Sequence, residues 1–263
     1  MQIFVMNLDR APERLEEMCH RFSQAGLSFE RVPAVDGNAL TPEEIDRVLA
    51  GVGRWGRLTP GEIGCFLSHR RCWSALLESG ERFGAIFEDD IVLGRNSAAV
   101  LAEDGWLPDD AEIVKLETTS SRVYLDRSGA GMVDDRQLYR LRSSHYCAAG
   151  YIVSRDCATR LLAASETFHE ALDDFLFSVL SPVFQNTRIY QLTPAVCAQK
   201  WHASGGGNAQ DPNTSIEGRE SKQRCTLPLV ERLREVCVKE GMSAQNKLLV
   251  LWGRRQRLPV EFR

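Results

Sequence analysis

Three consecutive carboxylates, Glu88, Asp89 and Asp90, directly follow the apolar segment Ala85-Ile86-Phe87. A second apolar segment, Ile91-Val92-Leu93, comes next, so the acids are not part of a solvated charged run. Adjacent carboxylates repel one another unless a cation or a basic group compensates them. Hard divalent cations prefer oxygen ligands and bridge readily to a diphosphate. The pattern predicts a metal site with Glu88 and Asp90 as its two arms; the alternative is that the acids only end a strand and cap the next segment.

The elements around this triplet alternate between strand and helix. Residues 3–7 predict a first strand, and a helix that runs to about Gly26 follows, with Asp9 as its N-cap. Thr41 and Thr59 are each followed by proline and then, three residues after the threonine, by glutamate, which predicts two further helix starts. Further strands are predicted over 29–35, 85–87, 113–116 and 149–153, and further helices over 155–164 and 171–180. This alternation predicts an α/β fold.

Composition limits the class of protein. The 263 residues are 43% hydrophobic, which is enough for a large core, and we expect one domain over 1–263. With 32 basic and 36 acidic residues the net charge is −4, which argues against a nucleic-acid partner. The N-terminus lacks the pattern of a signal peptide, and no apolar run approaches the ~20 residues of a membrane span. We therefore expect a cytoplasmic location.

Several short motifs occur in order along the chain. They are Asn7-Leu8-Asp9-Arg10, Ala34-Val35-Asp36-Gly37, Gly61-Glu62-Ile63-Gly64-Cys65-Phe66-Leu67-Ser68-His69, Phe87-Glu88-Asp89-Asp90, Lys115-Leu116-Glu117-Thr118, Ala149-Gly150-Tyr151-Ile152-Val153, Asp173 and Gln191-Leu192-Thr193-Pro194-Ala195-Val196-Cys197-Ala198-Gln199. In this order and spacing the chain resembles glycosyltransferase family 25, which includes bacterial lipooligosaccharide and lipopolysaccharide galactosyltransferases and collagen-modifying relatives. The bacterial branch is the more similar. Cys147-Ala148 departs from the small Gly-Thr pair common in bacterial relatives, so the acceptor preference is expected to differ.

The resemblance implies a GT-A-like fold with a central mixed, mostly parallel sheet flanked by helices. It also implies a UDP-galactose or UDP-glucose donor, a saccharide acceptor that can be lipid-linked, inversion at the anomeric carbon, and a divalent cation, Mn²⁺ in preference to Mg²⁺. By the same resemblance His202 completes the metal site; the alternative is a structural histidine. Residues 1–120 would mainly bind the nucleotide sugar and metal, and 121–202 would supply the acceptor side and the base.

An inverting transfer needs a base for the acceptor proton and a charge sink for the departing diphosphate. The family pattern places the base at Asp173, with Asp174 as a surrogate, and Asp173 opens an apolar helical stretch where partial burial would suit a general base. Glu117 is the competing base. The alternatives are that Asp173 only caps its helix and that Glu117 pairs with Lys115 or holds the acceptor.

A further set of side chains is predicted to contact the nucleotide sugar. Residues at the first strand would hold the base and phosphates, Asp36 the ribose hydroxyls, and Asp89 the ribose or donor sugar. The full set is Asn7, Asp9, Arg10, Asp36, Glu62, His69, Asp89 and Lys115. The alternatives are a helix cap for Asp9 and helix packing for His69. For Arg10 and Arg14 the alternative is an ordinary exposed charge, and we favour it slightly.

The C-terminal part, 203–263, is expected to form a flexible loop and a helical tail. Residues 203–223 lack periodicity and predict a mobile loop or lid. Residues 247–257 combine an apolar patch, a tryptophan and a basic cluster, which predicts peripheral membrane contact; a core-packing helix with a solvated basic end is the alternative. Two competing functions are a catalytically inactive nucleotide-sugar-binding protein and a metal-dependent phosphoesterase, for which the sequence shows no second cluster of His and Asp.

Overall fold

The computed structural model of the chain describes residues 1–204 and 229–263. Its strands are β1 (Gln2–Asn7), β2 (Glu30–Pro33), β3 (Phe83–Glu88), β4 (Ile91–Leu93), β5 (Ile113–Lys115), β6 (Arg122–Asp126), β7 (Gly131–Val133), β8 (Arg136–Arg140), β9 (Gly150–Ser154), β10 (Ile189–Thr193), β11 (Cys197–Gln199) and β12 (Arg255–Pro259). Its helices are α1 (Pro12–Gln24), α2 (Pro42–Val48), α3 (Pro60–Ser79), α4 (Ser97–Leu101), α5 (Arg155–Ala164), α6 (Leu172–Phe177), α7 (Pro182–Asn186), α8 (Lys200–Ala203) and α9 (Leu229–Leu251). A short 3₁₀ helix spans Gly37–Ala39.

The main sheet has the strand order β2-β1-β3-β9-β5-β10-β8-β7. Neighbours β2, β1 and β3 are parallel, as are β5 and β10. Strands β9 and β8 pair antiparallel with their neighbours on both sides, so they run opposite to the rest of this sheet. The predicted α/β fold with a central mixed, mostly parallel sheet is therefore confirmed.

Helices cover both faces of the sheet because the strand residues alternate in direction. On β1, Phe4 belongs to one hydrophobic cluster, together with Trp73 of α3, while Val5 belongs to another, together with Phe22 of α1. Successive strand residues point to opposite faces, so one apolar strand can serve two cores. This arrangement leaves the ends of the strands, rather than the faces, as the place for polar chemistry.

The helix starts follow the local signals, with one exception. Both α2 and α3 begin with a capping box, in which Thr41 and Thr59 exchange hydrogen bonds with the glutamate three residues later. The predicted cap at Asp9 is wrong: α1 begins at Pro12, its N-cap is Ala11, and no side chain caps it. Asp9 instead pairs with Arg31, which follows from its position beside β2.

The C-terminal tail turns back on itself. Helix α9 ends at Leu251, Gly253 takes a left-handed conformation with φ of 68°, and β12 then pairs antiparallel with β6. Arg255 is 9% exposed, so the basic end of 247–257, which one alternative expected to be solvated, is buried at this residue. Within the described ranges, no helix combines the length and apolar character that crossing a bilayer requires. Residues 205–223 of the predicted lid lie outside the described residues.

Candidate active site

The carboxyl ends of β1, β3 and β5 meet at one edge of the sheet because these strands run in the same direction. Asn7 is the last residue of β1, Glu88 the last of β3 and Lys115 the last of β5. Strand β9 runs the other way and begins at this edge with Gly150. The Glu88 N–H donates to the Ala149 carbonyl over 3.0 Å, which ties the acidic triplet to the segment before β9.

Asp89 faces the interior. Its carboxylate accepts a hydrogen bond of 2.7 Å from the Asn7 amide and forms an ion pair with Arg14. Burial raises the pKa of Asp89, and the Arg14 charge opposes that rise. Arg14 also lies 3.5 Å from Asp90, so the interpretation of this arginine as an ordinary exposed helix charge is wrong. The contacts of Asn7 and Asp89 with a nucleotide sugar stay predictions, since both side chains are already engaged internally.

Glu88 and Asp90 share one partner, the side-chain amide of Gln199. The amide nitrogen lies 3.5 Å from Glu88 Oε2 and 3.3 Å from Asp90 Oδ2. Gln199 ends β11, which pairs with β4 directly after the triplet, and this pairing carries the amide to the two carboxylates. Burial, and next the neighbouring Glu88 charge, raise the pKa of Asp90 to about 7.

This pair of carboxylates fits a divalent cation. The Oδ1 atom of Asp90 is enclosed and, within residues 1–204 and 229–263, has no hydrogen-bond partner. A buried carboxylate oxygen without a donor normally requires an explanation, and a bound cation supplies one. The set is oxygen-rich, as Mn²⁺ and Mg²⁺ require, so Glu88 and Asp90 are the residues that would hold the cation.

His69 and Cys65 approach Glu88 from α3. His69 Nε2 lies 3.6 Å and Cys65 Sγ 3.9 Å from Glu88 Oε1. The Nδ1 atom of His69 lies 2.9 Å from the Tyr151 hydroxyl, which also accepts a 2.9 Å hydrogen bond from Trp73 Nε1. Burial lowers the pKa of His69 to about 3, so the ring is neutral near pH 7. His69 is fully buried and contacts Tyr151, as the helix-packing alternative expects, and its role at the donor stays a prediction.

His202 lies on α8, in the segment that follows β11 and the acidic triplet's partner Gln199. The Lys200 N–H, two residues before His202, donates to the Asp90 carbonyl over 2.9 Å. In the part of the chain that the structure describes, the group of three possible metal ligands with all atoms within 4.8 Å is Cys65, His69 and Glu88. Neither Asp90 nor His202 is a member of that group, and the role of each as a metal ligand stays a prediction.

Lys115 and Glu117 form a buried ion pair behind the triplet. Lys115 Nζ lies 2.9 Å from Glu117 Oε1, and both side chains are at most 1% exposed. Lys115 also donates to the Cys147 carbonyl and lies 4.1 Å from the centre of the Phe177 ring. Burial raises the pKa of Glu117, while Lys115 opposes the rise. The predicted alternative that Glu117 pairs with Lys115 is confirmed.

Asp173 and Asp174 lie in the first turn of α6 but have different surroundings. Ala171 is the N-cap of this helix, so the alternative that Asp173 caps it is wrong. Asp173 is half-buried, and its Oδ2 accepts a weak 3.5 Å contact from the Cys147 N–H. Asp174 is 6% exposed and lies 3.7 Å from the Arg54 guanidinium. Both line a cavity of about 310 Å³, and Asp173 is the more accessible of the two.

The other side chains predicted to bind the nucleotide sugar have local partners. Asp9 pairs with Arg31, and Arg10 donates to Asp36 over 2.9 Å. The second Asp36 oxygen accepts from the backbone N–H of the 3₁₀ turn that follows β2. Glu62 is 5% exposed, and one of its oxygens closes the capping box of α3. The structure therefore does not collect these residues into one pocket, and their ligand contacts stay predictions.

A comparison with protein families decides the class. Residues 1–176 match the family described as glycosyltransferase family 25 (LPS biosynthesis protein). The chain belongs to glycosyltransferase family 25. Within this family 25 chain the match includes β1, the acidic triplet and α6 almost to its end.

Curated relatives agree with this assignment. The chain is 31% identical to the lacto-N-neotetraose biosynthesis glycosyltransferase LgtE of Neisseria meningitidis serogroup B, over 77% of this chain and 75% of the relative. It is 33% identical to the lacto-N-neotetraose biosynthesis glycosyltransferase LgtB of Neisseria gonorrhoeae, again over 77% and 75%. The lipooligosaccharide biosynthesis protein lic2B of Haemophilus influenzae is 30% identical, over 75% of each chain.

Solved structures give weaker likenesses. A glycosyltransferase involved in glycosylation of the major capsid of PBCV-1 has a TM-score of 0.44 and 10% identity, over 84% of this chain and 98% of that one. The galactosyltransferase LgtC with donor and acceptor sugar analogs has a TM-score of 0.38 and 13% identity, over 88% and 99%.

Several contacts in the family 25 site have little or no signal in the sequence. Gln199 ends one of the family motifs, but no local pattern shows that its amide reaches Glu88 and Asp90, the latter 109 positions away along the chain. For Arg14 a signal exists, because its place in the first turn of α1 allows it to point back toward a strand end. Trp55 and Tyr146 line the same cavity as Asp173, and neither belongs to a motif.

Proposed function

We propose that this family 25 glycosyltransferase transfers galactose or glucose from a UDP-sugar to a hydroxyl of a saccharide, with inversion and with a divalent cation. The names of its relatives, which refer to lacto-N-neotetraose and lipooligosaccharide biosynthesis, support a surface-glycan acceptor. The observation that carries the proposal is that Asp173 and the end of β3 both contact the short segment before β9. The Asp173 carboxylate accepts a weak contact from the Cys147 N–H, and the backbone N–H of Glu88 donates to the Ala149 carbonyl two residues later.

Asp173 is the better base of the two candidates. Glu117 is fully enclosed and held by Lys115, so an acceptor hydroxyl has no route to it without breaking a buried ion pair. Asp173 is half-buried and lines an open cavity, which leaves an oxygen within reach of a bound hydroxyl. Asp174 is committed to Arg54 and is the weaker surrogate.

The proposed reaction is a single displacement. The acceptor oxygen forms a bond to the anomeric carbon as the bond from that carbon to the diphosphate oxygen breaks. The electron pair of the broken bond leaves with UDP, and the acceptor proton passes to the Asp173 carboxylate. No covalent sugar–enzyme intermediate is needed, and a single attack inverts the anomeric carbon.

The acidic pair gives the reaction its cation dependence. A divalent cation held by Glu88 and Asp90 supplies positive charge that stabilises the leaving diphosphate when it is bound. Mn²⁺ in preference to Mg²⁺, a lipid-linked acceptor and peripheral membrane contact through the C-terminal tail are further parts of the proposal. They rest on the family, and on the exposed Leu251 and Trp252 for the tail.

Release of UDP by the purified chain tests the proposal. UDP-galactose, UDP-glucose and UDP-N-acetylglucosamine would be paired with methyl β-glycosides of glucose, N-acetylglucosamine and galactose, with and without Mn²⁺. We expect cation-dependent turnover with a hexose donor, and Asp90→Asn should lower it by at least about 100-fold. Donor binding by calorimetry without turnover on any acceptor would favour the inactive binding protein instead.

The choice of base has its own test in the pair Asp173→Asn and Glu117→Gln. We expect Asp173→Asn to lower kcat by about 10²–10⁴ while the donor Kd and the unfolding midpoint stay near wild type. Glu117→Gln should instead lower the free energy of unfolding by about 3–5 kcal/mol, because it leaves the Lys115 charge buried without its partner. A stable but inactive Glu117→Gln protein beside an active Asp173→Asn protein would reverse the assignment.

A further inference from the structure

The cavity beside Asp173 has a mixed aromatic and acidic lining. Trp55 is 44% exposed and Tyr146 is 43% exposed, and both line this cavity of about 310 Å³. That volume is at the lower end of the range typical of small-ligand pockets, about 300–1,000 Å³. Large aromatic side chains left half-exposed beside a cavity are candidates for ligand contact, since a core would normally bury them.

The loop that carries Trp55 is fixed to α6 and its approach. The Arg54 N–H donates to Glu170 over 3.0 Å, and the Arg54 guanidinium pairs with Asp174 and with Glu235 of α9. A Cβ on Gly53 would lie 2.0 Å from the His169 carbonyl oxygen, so this backbone approach requires glycine. The contacts of Gly53 and Arg54 with α6, the residues before it and α9 therefore hold Trp55 at the cavity wall.

Tyr146 is positioned by the residue that follows it. Cys147 has φ of 70°, its N–H lies 3.5 Å from Asp173, and its carbonyl accepts a hydrogen bond from Lys115. Burial raises the pKa of the Cys147 thiol, and the nearby Glu117, Asp173 and Glu88 carboxylates add to the rise. The residue after Tyr146 thus lies between the cavity and the acidic edge of the sheet, so a ligand stacked on Tyr146 would be next to the reacting groups.

The charge of the lining selects the ligand class. Four carboxylates border the cavity, from Glu62, Glu170, Asp173 and Asp174, and Arg54 is paired with one of them. Aromatic rings could stack on a nucleobase as well as on a sugar, but a nucleoside diphosphate would bring two or more negative charges toward these acids. A neutral sugar avoids that repulsion, donates hydroxyl hydrogen bonds to carboxylates, and presents C–H faces to aromatic rings.

We propose that this cavity is the acceptor subsite, in which Trp55 and Tyr146 stack against a neutral saccharide and the carboxylates accept its hydroxyl hydrogen bonds. The assignment rests on the proposed transferase function, since it names where the second substrate of that reaction binds. It places the acceptor on the Asp173 side of the Cys147 segment and the donor diphosphate on the Glu88–Asp90 side. For direct attack, the donor sugar would have to extend past that segment to the acceptor hydroxyl.

The test compares Trp55→Ala and Tyr146→Ala with the conservative changes Trp55→Phe and Tyr146→Phe. We expect each alanine variant to raise the acceptor KM for the methyl glycosides by about tenfold or more, with the donor KM and the unfolding midpoint unchanged. The phenylalanine variants should keep most of the affinity because they keep a ring. Met132→Ala is the control: Met132 is 68% exposed on β7 and does not line the cavity, so its acceptor KM should equal that of wild type.

Saturation-transfer NMR of the same methyl glycosides separates this inference from the proposed function, because it needs no turnover. Glycoside binding to the wild type that is lost in Trp55→Ala supports the subsite, even if no donor gives transfer and the proposed function fails. If the wild type transfers sugar but both alanine variants bind the glycosides as well as the wild type does, the acceptor-subsite assignment is overturned. The proposed transferase function is not affected by that result. A rise in the donor KM instead of the acceptor KM, or no glycoside binding by the wild type, also overturns it.

Discussion

The Tyr151 hydroxyl serves two buried side chains at once. It accepts a hydrogen bond from Trp73 Nε1 and lies at the same distance, 2.9 Å, from His69 Nδ1. Because the oxygen already accepts from Trp73, its proton is best used toward Nδ1, which places the His69 proton on Nε2. That proton faces Glu88, so a chain of buried side chains ends on one arm of the proposed cation site.

Tyr151→Phe removes this shared hydroxyl and leaves the ring in place. We expect a loss of about 1–3 kcal/mol in the free energy of unfolding, since the indole N–H of Trp73 stays buried without an acceptor. The Mn²⁺ affinity, followed by electron paramagnetic resonance, should also weaken because His69 no longer holds one orientation beside Glu88. Tyr124→Phe is the control, since this ring is partly exposed and its contact with Arg257 is through the ring face. Equal stability and equal Mn²⁺ affinity for the two variants would contradict the idea that the Tyr151 hydroxyl orients His69 beside Glu88.

At the scale of elements, helix α3 approaches the backbone of the segment after β2 most closely at Gly64. A Cβ on Gly64 would lie 2.5 Å from the Val35 carbonyl oxygen and 2.7 Å from the Gly37 nitrogen. Neither obstacle is the flexible end of a side chain, so the helix and the 3₁₀ turn would have to move apart. This contact also sets Ser68, whose hydroxyl accepts from the Val35 N–H over 2.8 Å.

Gly64→Ala should therefore destabilise the chain although alanine favours helices. We expect the free energy of unfolding in urea to fall by about 1–3 kcal/mol. Gly241→Ala is a matched control, because Gly241 lies in α9 and, among the described residues outside its own helical turn, none comes within 4 Å of the place that an alanine methyl group would take. There the same change should stabilise by about 0.5–1 kcal/mol. A higher free energy of unfolding for both alanine variants would show that α3 and the 3₁₀ turn can move apart without loss of stability.

The elements that could be predicted are those with local causes. The starts of α2 and α3 depend on residues three positions apart, and β3 depends on a short apolar run, so sequence reasoning placed them well. Asp9 met the same local criteria for a cap but is paired with Arg31, 22 positions away. Helix α6 stops at Phe177, short of the predicted 180, where the Phe177 carbonyl accepts from the His145 N–H. Such competition between distant groups has no local signature.

The candidate site shows the same division. The clustering of Glu88 and Asp90 followed from their position at a strand end, and the family pattern supplied Asp173. The partner Gln199 and the lining residues Trp55 and Tyr146 depend on how separate loops meet after folding. Their residue types alone do not distinguish them from other polar or aromatic side chains of the chain.

At the scale of the whole molecule, the C-terminal segment is attached through a polar junction. Asn246 is the buried residue of α9. Its amide donates to the Arg142 carbonyl over 3.1 Å, and its oxygen accepts from Arg255 of β12. Asp126 of β6 lies 3.4 Å from the same Arg255 and also pairs with Arg142, so one cluster joins α9, β12 and the end of β6.

Asn246→Ala would break this junction from its centre. The change leaves the Arg142 carbonyl and part of the Arg255 guanidinium without their partner, and we expect it to lower the free energy of unfolding by about 1–3 kcal/mol. Gln245→Ala provides the control at the adjacent exposed position, where the same loss of an amide should change stability by less than about 0.5 kcal/mol. Hydrogen exchange should show faster exchange of the β12 and β6 amides in Asn246→Ala alone, because Arg255 of β12 and Asp126 of β6 both belong to the cluster that Asn246 completes. Unchanged exchange in β12 would mean that its pairing with β6 is sufficient to hold the C-terminal segment without the helix.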